Sequence, residues 1–130
     1  HARAKQDDDA YLDVLEIIKK YNLTGVVHFF SGSKETAKKF LDLGFYISFS
    51  GPITFAPEYK EVVEFAPISR ILIETDSPFA APLPYRGKRN EPAYVEFVAR
   101  QIAEWKNISF EKVAKQTAEN AISLFKIKIK

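Results

Sequence analysis

The chain carries two histidines, and both stand where a parallel strand would end. His28 interrupts the apolar run GVVHFF (25–30), and His1 opens HARAKQD directly ahead of a helical pattern. A third polar residue, Asp76, lies just beyond the apolar strand ILIE (71–74) and is followed by Ser77 and Pro78. In parallel βα folds the carboxyl ends of the strands meet on one face, and sites are built there. Two imidazoles and a carboxylate converging on that face make a nitrogen/oxygen donor set that suits zinc or manganese. Taken singly, each residue admits a blander role. A lone histidine in a strand is commonly a hydrogen-bonded core residue, and a terminal His1 says little by itself. Asp76 before Ser-Pro can cap a turn, and Glu74 can be a buried ion-pair partner. The three ligand candidates on successive βα units tilt the balance toward a metal site, while spacing alone leaves both readings open.

The elements that must position these residues alternate between strand and helix. Asp7 to Asp9 can cap a helix striped by Tyr11, Val14, Leu15 and Ile18. Gly25 to Phe30 is β-branched and aromatic, as a short strand requires. Ser33 can cap a helix carrying Ala37, Phe40 and Leu41 and stopped at Gly44. Phe45 to Ser50 (FYISFS) reads as a strand ended by Gly51-Pro52. A helix over 58–66 presents Tyr59, Val62 and Val63, and Pro67 ends it. The strand Ile71 to Glu74 follows, then a loop over 77–91 rich in proline, glycine and charge. Pro92 opens a helix with Tyr94, Phe97, Val98, Ile102 and Trp105 on one face, and Ser109 can cap a last helix ending near Phe125. The tail KIKIK is expected to fray, its alternation leaving an edge strand as the other option.

Near-continuous apolar strands separated by single helices imply an α/β parallel sheet covered on both faces, either doubly wound or a (β/α)8 barrel. No G-x-G-x-x-G or P-loop follows a strand, so nucleotide binding has no support. The 130 residues suffice for one domain with a modest core, and the composition of 46% hydrophobic and 28% charged residues is that of an ordinary globular chain. A net charge of +2 gives no general mandate for nucleic acid or membranes. The absence of cysteine excludes disulfides and thiolate sites. No apolar run approaches the ~20 residues of a membrane span, and nothing resembles a signal peptide, so a cytoplasmic protein is expected. The chain has no methionine and begins at His1, which makes part of a longer protein the expectation.

The loop PLPYRGKRNEP would share the face that holds the strand ends. Arg86, Lys88 and Arg89 fall within four residues and can contact phosphates, and Tyr85 can stack on a base. A solvated basic turn, or an Arg86–Glu91 pair that holds the loop, explains the same residues. Ser31, Gly32 and Ser33 at a helix start can bind an anion through backbone N–H groups or simply cap the helix.

HARAKQD, VVHFFSGS, GFYISFSG, ILIETDSPF and PYRGKRNEP, in this order and spacing, resemble the carboxyl-terminal half of the TatD family of metal-dependent deoxyribonucleases. The resemblance runs the whole length and ends with AENAISLF. It implies a (β/α)8 TIM barrel of the metal-dependent hydrolase type, here strands five to eight, with residues 1–130 forming a single partial domain. It also implies a site for two divalent ions, drawn from zinc, manganese and magnesium. Carried over by motif, His1, His28 and Asp76 are the metal ligands that end strands five, six and eight. Asp76 is in addition the catalytic proton acceptor. Arg86 and Asn90 join Tyr85 as substrate-binding candidates. Lys5 stands where the family motif usually has Thr or Ala, while Arg3 and Asp7 match it. The amino-terminal H-x-H pair and the bridging glutamate of the family are absent, as are the first four strands. The function implied is hydrolysis of DNA phosphodiester bonds. The alternatives are a related hydrolase of non-nucleic esters or amides, or an inactive half-barrel. The partners implied are DNA, and either the missing half or a second copy to cover the open edges, with no membrane. The inner face of such a half-barrel is expected to be built from Val26, Ile47 and Phe49 or their alternates.

Overall fold

The computed structural model describes residues 9–128. Helix α1 (Asp9–Ile18) leads to strand β1 (Val26–Val27), helix α2 (Lys34–Asp42), strand β2 (Tyr46–Phe49), helix α3 (Lys60–Phe65) and strand β3 (Ile71–Ile73). Helices α4 (Val95–Lys106) and α5 (Phe110–Phe125) close the chain. The strands pair in parallel in the order β1-β2-β3. Each return from one strand to the next runs through a helix, as parallel pairing requires.

Local chemistry sets the helix ends. Ser33 Oγ accepts the backbone N–H of Thr36 at 3.2 Å, and Ser109 Oγ accepts that of Lys112 at 3.2 Å. Gly44 takes φ +82° just after α2, a conformation that would strain a side chain. Two expected helices open with a 3-10 turn. Pro57–Tyr59 precedes α3, and Pro92–Tyr94 precedes α4. Among the described residues, Lys126–Lys128 add no strand, and Lys126 turns the chain at φ 53°.

Register divides the strands into two rows. Val27, Ile47 and Ile71 lie side by side, as do Phe49 and Ile73. All five belong to, or pack against, one apolar core that includes Leu15 of α1, Phe40 of α2, Val63 of α3, Ile102 of α4 and Val113 of α5. Val26 pairs with Tyr46, and Ser48 with Leu72, on the opposite face. The grouping of Val26 with Ile47 and Phe49 is therefore corrected. Ile47 and Phe49 face the helices, and Val26, Tyr46, Ser48 and Leu72 form the other row. The helical layer covers one row, as in a barrel wall. On the other row Tyr46 is capped by the Arg70 guanidinium, 5.0 Å from its ring centre.

The expected strand 25–30 shrinks to Val26–Val27. Phe29 adopts φ 51°, and its N–H donates to Glu74 Oε1 at 2.9 Å instead of joining the ladder. The break places His28 immediately beyond β1, at the sheet's carboxyl end.

Candidate metal centre

His28, Ser50 and Glu74 follow the three strands at that end. Glu74 is held in place by its own backbone, since its N–H donates to Phe49 O at 3.0 Å and so extends the β2–β3 ladder. Its carboxylate lies 2.7 Å from His28 Nδ1 and also accepts the Phe29 N–H. A carboxylate only accepts, so the proton between the two sits on Nδ1. A neutral ring with its proton on Nδ1 would carry its lone pair on Nε2, the tautomer a metal-ligating histidine needs. His28 Nε2 stands 3.9 Å from Asp76 Oδ1. Two such donors on one zinc-like ion stand at most about 4.3 Å apart, so the gap lies within the span of a single ion.

The donor set therefore fits a divalent cation in chemistry and separation. Among the described residues no three His, Cys, Asp or Glu side chains converge to hold an ion by themselves. His1, the third expected ligand, lies outside the described residues. Glu74, weighed from the sequence as an ion-pair partner, bonds the His28 ring and orients it. Its signal was the odd acid ending an apolar strand, but nothing local tied it to a histidine 46 residues away. Ser50 is also at this end. It is 3% exposed, and its Oγ has no hydrogen-bond partner.

The loop after Asp76 docks on the turn that follows β2. A side chain at Gly51 would collide with the Ala80 carbonyl oxygen. Thr54 Oγ1 accepts the Leu83 N–H at 2.8 Å and donates to Gly51 O at 2.8 Å. The substrate-binding candidates separate here. Arg86 is exposed, with its guanidinium 4.1 Å from the Phe55 ring centre. No ion pair joins it to Glu91 among the described residues, so the paired-loop reading fails. Asn90 is 2% exposed and spent on the loop itself: its amide donates to Phe79 O at 2.7 Å, and its Oδ1 accepts the Glu91 N–H at 2.9 Å. Tyr85 stacks on Tyr94 with ring centres 4.0 Å apart and planes 4° from parallel, and Phe97 meets it edge-on. Asn90 is thus a brace, and one face of Tyr85 is already covered. In the 31–33 turn the capping role holds. Ser33 caps α2, and the Ser31 N–H donates to Tyr11 OH at 3.1 Å.

A parallel βα scaffold with polar side chains gathered at its strand carboxyl ends defines the class of this protein. Residues 1–126 match the family described as TatD related DNase, and the chain belongs to that family. It is 51% identical over 124 residues to the metal-dependent hydrolase YabD of Bacillus subtilis, covering 92% of this chain and 49% of that protein. It is 46% identical to the metal-dependent hydrolase YcfH of Escherichia coli K12, with 92% and 47% covered. The chain thus spans about half the length of the relatives it matches. The crystal structure of YJJV, a TatD homolog from Escherichia coli, superposes with a TM-score of 0.85 at 29% identity, over 92% of this chain and 48% of that one. A TatD family hydrolase from Entamoeba histolytica shares the fold, with a TM-score of 0.78 at 24% identity over 89% and 48% of the two chains. No helix among the described residues is long and apolar enough to cross a membrane.

Proposed function

We propose that the chain is the carboxyl-terminal half of a TatD-type (β/α)8 barrel and supplies part of a two-ion site that hydrolyses DNA phosphodiesters. The observation that carries this reading is the His28 pair: Nδ1 held by Glu74, with Asp76 3.9 Å from Nε2. The half-barrel assignment is supported by the chain spanning about half the length of the relatives it matches. Among the described residues β1 and β3 are edge strands, and those edges call for the remaining strands, or failing those a second copy of the chain.

Divalent ions bound there acidify water and neutralise phosphate charge. The chain's own residues do the rest. Glu74 fixes the imidazole so that His28 Nε2 serves as a donor. The Asp76 carboxylate is both a donor and the acceptor for the proton that the attacking water loses as its oxygen bonds to phosphorus. The P–O bond to the leaving sugar breaks, and that oxygen takes up a proton from solvent water. Arg86, Lys88 and Arg89 draw the polyanion to the loop.

The test is cleavage of a labelled oligonucleotide by the complete enzyme with manganese, zinc or magnesium. Cleavage is expected to require the ion, and Asp76→Asn to lower kcat by about 10³-fold. A full rate in that variant with the same metal requirement would overturn the role of Asp76. Ester or amide hydrolysis without phosphodiester cleavage would overturn the substrate class.

A further inference from the structure

We propose that Phe79 is the platform on which an unpaired base of the nucleic-acid substrate stacks. The inference rests on the phosphodiesterase reading above and names the contact that reading lacks. Tyr85, the aromatic expected in this role, already has Tyr94 against one face and Phe97 at its edge. Phe79 is the reverse case. It is 70% exposed, the most exposed large apolar side chain among the described residues.

The ring does not sit on a loose tip. The Phe79 N–H donates to Asp76 O at 2.7 Å, and the Phe79 carbonyl accepts the Asn90 amide at 2.7 Å. The Asn90 N–H donates to Pro78 O at 3.0 Å. Asn90 thereby staples the segment that presents Phe79 to the segment that carries Arg86, Lys88 and Arg89. All three cations are exposed. One rigid loop so offers an apolar ring, a basic run and, three residues before the ring, the carboxylate assigned to the chemistry. Phosphates met by cations and bases met by aromatic faces are how single strands are held without regard to sequence. An exposed hydrophobic ring at a polar mouth is costly in water, and a base covers it in the bound state. A base inside a duplex has no free face, so the geometry points to an unpaired end.

The experiment uses the complete enzyme, with Phe79→Leu to remove the ring and Phe79→Trp to keep it. On a single-stranded oligonucleotide, Phe79→Leu is expected to raise KM about tenfold at unchanged kcat, and Phe79→Trp to restore KM. On a strand with an abasic site at the scissile bond, Phe79→Leu and wild type should have equal KM. Tryptophan emission of Phe79→Trp, read as the difference from wild type, should be that of an exposed indole. Single-stranded DNA with the metal chelated should quench it. Equal KM on both strands for wild type and Phe79→Leu would overturn the proposal, as would a blue-shifted emission indifferent to DNA, which would mean that protein covers the ring. Because quenching is read without metal, quenching of Phe79→Trp by DNA together with a wild type that never cleaves would sink the hydrolase reading and leave the stacking contact standing.

Discussion

At the amino-terminal end of the sheet, polar side chains turn inward and are consumed by the backbone. Asn120 donates to Ile68 O at 2.9 Å and to Ile71 O at 2.8 Å. Arg70 donates to Gly44 O at 3.1 Å while its guanidinium covers Tyr46. Lys106 reaches Ala66 O at 2.6 Å, and burial pulls its ammonium below the usual lysine range. At the carboxyl end, 46 residues of chain separate His28 from Glu74, Phe29 is held in the left-handed region, Ser50 Oγ is buried without a partner, and Phe79 stands in water. One end satisfies its polar groups within the fold. The other accepts strain and desolvation, each worth about 1–3 kcal/mol, to keep groups available. Stabilising contacts and the candidate site thus stand at opposite ends of the same strands, the division expected of a parallel βα fold.

The contrast can be broken by substitutions that trespass across it. Asn120→Ala should have the largest effect, lowering the urea-derived stability of the complete protein by about 2–3 kcal/mol because one buried and one part-buried carbonyl lose their donor. Its affinity for manganese, measured calorimetrically in the folded state, should not change. A loss of metal affinity would mean the two ends are coupled. Glu74→Ala reverses the pattern. It removes the hydrogen bond that orients the His28 ring, so metal affinity should fall about 10–100-fold, with a smaller change in the urea midpoint than Asn120→Ala gives. Unaltered affinity would remove Glu74 from the site. Arg86→Ala sharpens the comparison at its outer rim. DNA binding should weaken by about tenfold or less, and the slope of log affinity against log salt should shallow by about 0.9, the value for one phosphate contact on duplex. An unchanged salt slope would reduce Arg86 to a lid on Phe55.

Much of the frame was legible in residue order. Ser33, Gly44 and Ser109 marked helix ends because their side chains, or the lack of one, satisfy or permit the local backbone. The apolar runs at 25–30, 45–50 and 71–74 contained the three strands. Lost were the 3-10 openings at Pro57 and Pro92 and the early end of β1, since these depend on what the freed backbone groups find as partners.

The sequence by itself determined which residues end the strands, and so put His28 and Asp76 on one face, because parallel pairing aligns all carboxyl ends. It also determined the family, through motifs in fixed order. Only the tertiary structure decided which strand row meets the helices, since alternation fixes two faces but register between strands chooses between them. It likewise decided that Glu74 grips His28, that Asn90 braces the loop, and that Phe79 rather than Tyr85 presents an open ring. Each of these rests on a contact between residues distant in the chain, and such contacts are set by packing, not by local propensity.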